Sequence, residues 1–145
     1  MANPLYSQTL LDHVAHPDFN YKLDDASFSQ HGINPSCGDS LELYLSVDAD
    51  KIIREASWEG QGCAVSKASS DIMCDLICDK TLDEAKHMAK LFEAMILGEV
   101  EDEDELEEVL DEALCLQDIS HMPQRVRCAE LGWRTLEAAI EKMEQ

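Results

Sequence analysis

The sequence predicts an α+β fold in which a small antiparallel three-stranded sheet packs against four to six helices. Three observations carry this expectation. Residues 41–47 set Leu41, Leu43, Leu45 and Val47 on one side and Glu42, Tyr44 and Ser46 on the other, the period-two pattern of a half-buried strand. A second strand-like run over 52–58 follows the turn-like Asp48-Ala49-Asp50-Lys51, so the two pair as a hairpin. From Ala64 onward the apolar residues recur at threes and fours, which is helical spacing.

Taken in order, residues 5–16 gather Leu5, Tyr6, Thr9, Leu10 and Val14 near one helical face and stop before Pro17. After a polar loop, 26–30 is a weak strand, and the hairpin follows. Ala64, Val65, Ala68, Ile72, Met73, Leu76 and Ile77 mark a helix with Cys63 at its N-terminus. Thr81-Leu82-Asp83-Glu84 reads as a capping box that opens another helix, which ends at Gly98. The acidic stretch beyond it is helical through Leu106, Val109, Leu110, Ala113 and Leu114. A last helix starts near Pro123, with Val126, Ala129, Trp133, Leu136, Ile140 and Met143 as its apolar stripe.

The whole chain, 1–145, is expected to form a single domain, because 145 residues that are 45% hydrophobic suffice for one core. No apolar run approaches the roughly 20 residues that span a bilayer, and the N-terminal residues lack a basic-then-apolar export signal. A cytoplasmic location follows as the expectation. Six cysteines in that setting point to metal binding or thiol chemistry rather than disulfides. The net charge of -20 repels phosphate backbones and anionic lipid, which excludes nucleic-acid and membrane partners. Much of that charge is local, since residues 99–112 hold ten acidic side chains and no basic one. Such a run reads as a solvated surface segment or as an acidic face for a basic partner protein.

Three cysteines stand in backbone-permissive contexts: Cys37 in Asn-Pro-Ser-Cys-Gly-Asp, Cys63 in Gly-Gln-Gly-Cys and Cys128 in Arg-Val-Arg-Cys. The hairpin brings 37–39 beside 60–63, because one lies at the entrance of its first strand and the other just past the end of its second. At a helix N-terminus, the free amides and the dipole of the helix stabilise a thiolate at Cys63. Asp39, two positions after Cys37 and across a glycine, can turn its carboxylate to the same point. Three thiolates and one carboxylate suit tetrahedral Zn2+ or, with a ligand exchanged, an iron-sulfur cluster. Cys74 and Cys78 form an i, i+4 pair on one helical face that could hold a second metal, but the favoured reading of these two, and of Cys115, is as small buried apolar residues. The five histidines read as surface or capping groups.

The segments Asn34-Pro35-Ser36-Cys37-Gly38-Asp39, Gly60-Gln61-Gly62-Cys63 with its following Ala64 to Ser70, and Pro123 to Ala129 resemble the IscU/SufU family of iron-sulfur assembly proteins. The similarity covers the chain from residue 5 to about 140. Two details resemble the SufU branch: Arg127 stands where cluster scaffolds of the IscU branch carry a histidine, and an acidic insertion lies near 99–118. The resemblance implies Zn2+ held by Cys37, Asp39, Cys63 and Cys128, with an iron-sulfur cluster on the same ligands as the alternative. It implies transfer of persulfide sulfur from a pyridoxal-phosphate cysteine desulfurase of SufS type, with Cys37 as acceptor, toward downstream iron-sulfur assembly proteins. Arg127 is then an auxiliary cation for the anionic persulfide.

Overall fold

The alternation of Leu41, Leu43 and Leu45 is the organising feature of the computed structural model, which describes residues 4–35, 38–99, 103–110, 113–114, 116–117 and 123–144. These three leucines lie on the inner face of strand β2 (Asp39–Val47), 3% exposed or less. Strand β1 (Phe28–Asn34) and strand β3 (Ile53–Gln61) flank β2 in an antiparallel sheet of order β1-β2-β3. Leu43 faces Trp58 across the β2–β3 ladder and Leu45 faces Ala56, so inner-face side chains pair across strands. Tyr44 points outward, where its hydroxyl donates to Glu59 Oε1 at 2.7 Å.

Five helices complete the described elements: α1 (Pro4–Ala15), α2 (Ala64–Ile77), α3 (Leu82–Ile96), α4 (Glu103–Leu110) and α5 (Pro123–Glu144). Helix α5 packs on β1 and β2, α2 packs on β3, and the two helices also pack on each other. The core thus lies between one sheet face and the α2/α5 layer. Helix α3 closes the other side of α5, where Phe92 and Trp133 stack with ring centroids 4.7 Å apart. Helix α4 buries Leu106 and Leu110 and leaves Asp104, Glu107 and Glu108 exposed.

The capping box forms as expected: Thr81 Oγ1 accepts from the Glu84 amide at 3.1 Å, and the Glu84 carboxylate reaches back to the Thr81 amide. Gly98, just past the helix, has φ +74, the left-handed conformation that ends helices without a Cβ penalty.

The boundaries of all three strands differ from the sequence expectation, and β2 begins at Asp39 rather than Leu41. The weak first strand runs over 28–34 rather than 26–30, reaching the turn that precedes Asp39. Here Gly32 lies against Thr135 of α5, where a Cβ would clash. Strand β3 continues through Gly60 and Gln61 instead of stopping at Trp58. At Gly60 the neighbouring backbone of Ser40 leaves no room for a side chain, so glycine is what permits the ladder to continue. No helix is long and apolar enough to cross a membrane, among the described residues.

Candidate metal centre

The ladder between β2 and β3 pairs Ser40 with Gln61, which sets Asp39 beside the chain entering α2. Cys63 is the N-cap of α2, in extended conformation with φ -77 and ψ 170. Its carbonyl accepts the Lys67 amide at 3.1 Å, and its own amide donates to Asp39 Oδ1 at 3.2 Å. Cys128, only 2% exposed, arrives from the second turn of α5, which lies along α2. One ligand atom each from Asp39, Cys63 and Cys128 lies within 4.8 Å of the other two.

The carboxylate of Asp39 is 2% exposed, and its Oδ2 has no hydrogen-bond partner among the described residues. A buried carboxylate oxygen left without a partner carries a desolvation cost that a bound cation removes. Gly62 makes the approach possible, since a Cβ there would stand 2.6 Å from Asp39 Oδ1 and 2.9 Å from Ser66 Oγ. Two donors each about 2.3 Å from a tetrahedral ion stand roughly 3.8 Å apart, so small side-chain rotations close the observed set onto one ion. Two sulfur donors with one carboxylate suit a borderline-soft ion such as Zn2+ or thiolate-bound iron.

The structure therefore brings together Asp39, Cys63 and Cys128 as a candidate metal-binding group. Cys37 lies outside the described residues. The flanking backbone is described: Asn34 pairs with Asp39, the Gly38 amide donates to the Asn34 carbonyl at 2.9 Å, and Gly38 takes φ +76. Gly38, in the left-handed conformation, thus immediately precedes Asp39 where β2 begins. Arg127 is exposed and lines a cleft of about 530 Å³ with Asn34, Pro35 and Glu130, next to the ligand group.

The pair at Cys74 and Cys78 has a different character. Burial pushes the Cys74 thiol well above its ordinary value, with the charge of Asp71 adding to the effect. Burial also raises Cys78, whose Sγ donates to the Cys74 carbonyl at 3.1 Å. Both are protonated at neutral pH and pack as small apolar groups. Cys115 and His121 lie outside the described residues.

His13 departs from the surface or capping role expected of it. Its Nδ1 stands 2.7 Å from Oδ2 of Asp71, a carboxylate with no exposure. Asp71 also accepts from the Phe19 amide at 2.9 Å, the Asp18 amide at 3.3 Å and Trp58 Nε1 at 3.2 Å. Sequence reasoning missed this hub because its members lie on four separate segments, and no local spacing marks them. Gly62 was legible only as a small residue before Cys63; its contact with Asp39 needs the fold.

Residues 5–114 match the family model described as the NifU-like N terminal domain. The chain is 37% identical over 139 residues to the iron-sulfur cluster assembly scaffold protein IscU of Thermotoga maritima, spanning 96% of this chain and 94% of that one. It is 36% identical over 140 residues to the zinc-dependent sulfurtransferase SufU of Bacillus subtilis, spanning 97% and 92%. Among solved structures, it superposes with a TM-score of 0.84 on one from Fervidobacterium islandicum AW-1, described as an iron-sulfur cluster assembly scaffold protein for the SUF system. That pair is 39% identical and covers 94% of this chain and 96% of the other.

Proposed function

Because the chain belongs to the NifU-like N-terminal domain family, together with the IscU and SufU iron-sulfur assembly proteins, we propose that it is a zinc-dependent sulfurtransferase. It accepts persulfide sulfur from a cysteine desulfurase of SufS type, in the cytoplasm, and passes it toward cluster assembly. Zn2+ is held by Cys37, Asp39, Cys63 and Cys128. The observation that carries this reading is the convergence of Asp39, Cys63 and Cys128, with a buried carboxylate oxygen left for a cation.

Zinc in such a site keeps its thiol ligands deprotonated at neutral pH and contributes no redox chemistry. The Cys37 thiolate attacks the outer sulfur of the desulfurase persulfide. A new S–S bond forms on Cys37, the old S–S bond breaks, and the desulfurase cysteine departs as a thiolate. Cys37 sits beside Gly38, whose left-handed backbone permits a sharp turn. Asp39 is the hardest of the four donors and binds zinc less firmly than a thiolate, which makes it the ligand that sets lability. Arg127, exposed on the first turns of α5, offers a positive charge to the anionic persulfide.

The second reading is a scaffold that assembles a [2Fe-2S] cluster on the same four residues as its cargo. The Thermotoga maritima relative favours it, since a protein named as a scaffold aligns over as much of the chain as the zinc-dependent one does. The acidic segment therefore does not discriminate between the two, and Arg127 is the remaining residue that favours zinc.

Metal and acid-labile sulfide in protein purified without added metal separate the readings. One zinc and no sulfide supports the transferase; iron with sulfide supports the scaffold. Added to a SufS-type desulfurase, the chain is expected to raise turnover, and Cys37→Ala to abolish the gain. Native-like stimulation by Cys37→Ala would refute the acceptor role.

A further inference from the structure

At the opposite end of α2 from Cys63, a trough of about 560 Å³ opens between the end of that helix, the start of α3 and α4. Leu76 and Val109, both half-buried, and the buried Met88 form its apolar floor. Asp83, Glu84 and Glu108 stand at its rim. Lys80 is one positive charge against these three, and His87 is already engaged by Glu105, with Nε2 2.9 Å from Oε1. Beyond the rim, α4 adds the exposed Asp104 and Glu107.

We propose that this trough docks a basic amphipathic segment of a partner protein, with apolar side chains on Leu76, Met88 and Val109 and flanking Lys or Arg against the acidic rim. An apolar floor gives such a segment its anchor, and the field of the rim selects cations around it. The same field excludes other occupants. A second copy of this chain would bring a like-charged rim to this one, and a nucleic acid or anionic membrane would meet a chain of net charge -20. This use of the acidic α4 is separate from the sulfur chemistry. Leu76 lies thirteen residues beyond Cys63, about 20 Å along the helix axis, so a partner seated here leaves the ligand group uncovered.

The probe is a fluorescein-labelled peptide of about four helical turns, with Leu and Trp at helical spacing flanked by Lys and Arg. Titrated with the full chain, it is expected to bind and to shift amide resonances over 76–88 and 104–109. Glu108→Lys should raise Kd about fivefold or more. Asp24→Lys, an equal change of net charge on an exposed loop that does not line the trough, should change it less than about twofold. Cys37→Ala should bind the peptide as the native chain does, which keeps this test independent of the sulfur-transfer reading. Equal weakening by Glu108→Lys and Asp24→Lys would overturn the proposal. So would undiminished binding of a peptide whose Leu and Trp are replaced by Ser, because either result reduces the interaction to attraction between net charges.

Discussion

Asp39 is held at Oδ1 by the Cys63 amide and open at Oδ2, and the absence of a side chain at Gly62 is what allows this. Gly62→Ala places a methyl group 2.6 Å from Oδ1. The carboxylate or the α2 entrance must then shift, at a cost of about 1–3 kcal/mol if the surroundings resist. We expect this variant to lose bound metal to a chromogenic chelator faster than the native chain; equal loss rates would show that the α2 entrance, and not the Asp39 carboxylate, absorbs the added methyl group. Cys74→Ser should leave metal content unchanged, since Cys74 is a protonated thiol inside the core. A loss of one equivalent of metal would contradict that. At this scale the sequence was most legible where chemistry is local: cysteines beside glycines, and Asp39 just across one of them. It was least legible where partners are remote, as with His13 and Asp71, 58 positions apart.

Among the elements, α3 was readable to its first residue, because a capping box is a four-residue pattern whose hydrogen bonds are local. Thr81→Ala should cost about 1 kcal/mol, measured as a lower urea midpoint with an unchanged slope. Strand β1 was harder to read because Ser29, Gln30, His31 and Gly32 interrupt any apolar alternation. It forms as an edge strand through its ladder with β2 and the close packing of Gly32 on α5. The α3–α5 contact carries a titration of its own. Burial and the nearby Glu93 raise Glu137 from about 4.5 to about 7, opposed by Lys90 and supported by Glu141. The folded state therefore holds this proton more tightly than the unfolded chain does. The stability so gained is full below about pH 4.5 and is lost as pH rises through 7. Glu137→Gln should match the native chain at pH 4.5 and melt higher than it above pH 7. Parallel pH profiles for the two would show that Glu137 is not the group responsible.

For the whole molecule, a net charge of -20 on 145 residues means that the folded form works against its own repulsion. Raising monovalent salt from about 0.01 M to 0.5 M shortens the screening length from about 30 Å to under 8 Å and should raise Tm. A flat Tm over that range would mean that the acidic segment is too well solvated to matter. The meeting of 39 with 63 was legible at this scale, because an antiparallel hairpin must bring its two open ends together. The arrival of Cys128 was legible from its Arg-Val-Arg-Cys context and the family resemblance, not from the hairpin: its position depends on how α5 lies across the sheet and along α2, which no spacing in the chain encodes.

The β2–β3 ladder also separates where the polymer tolerates lengthening from where it does not. A slip of one position near Ser40 and Gln61 would turn Asp39 to the other face of the sheet. At the far end, the reversal at Asp48–Lys51 lies roughly 27 Å away along the strand and forms no part of the donor set. A fluorophore or affinity tag spliced between Ala49 and Asp50 would therefore ride on the molecule without disturbing its chemistry, whereas one extra amino acid beside Leu41 would silence it.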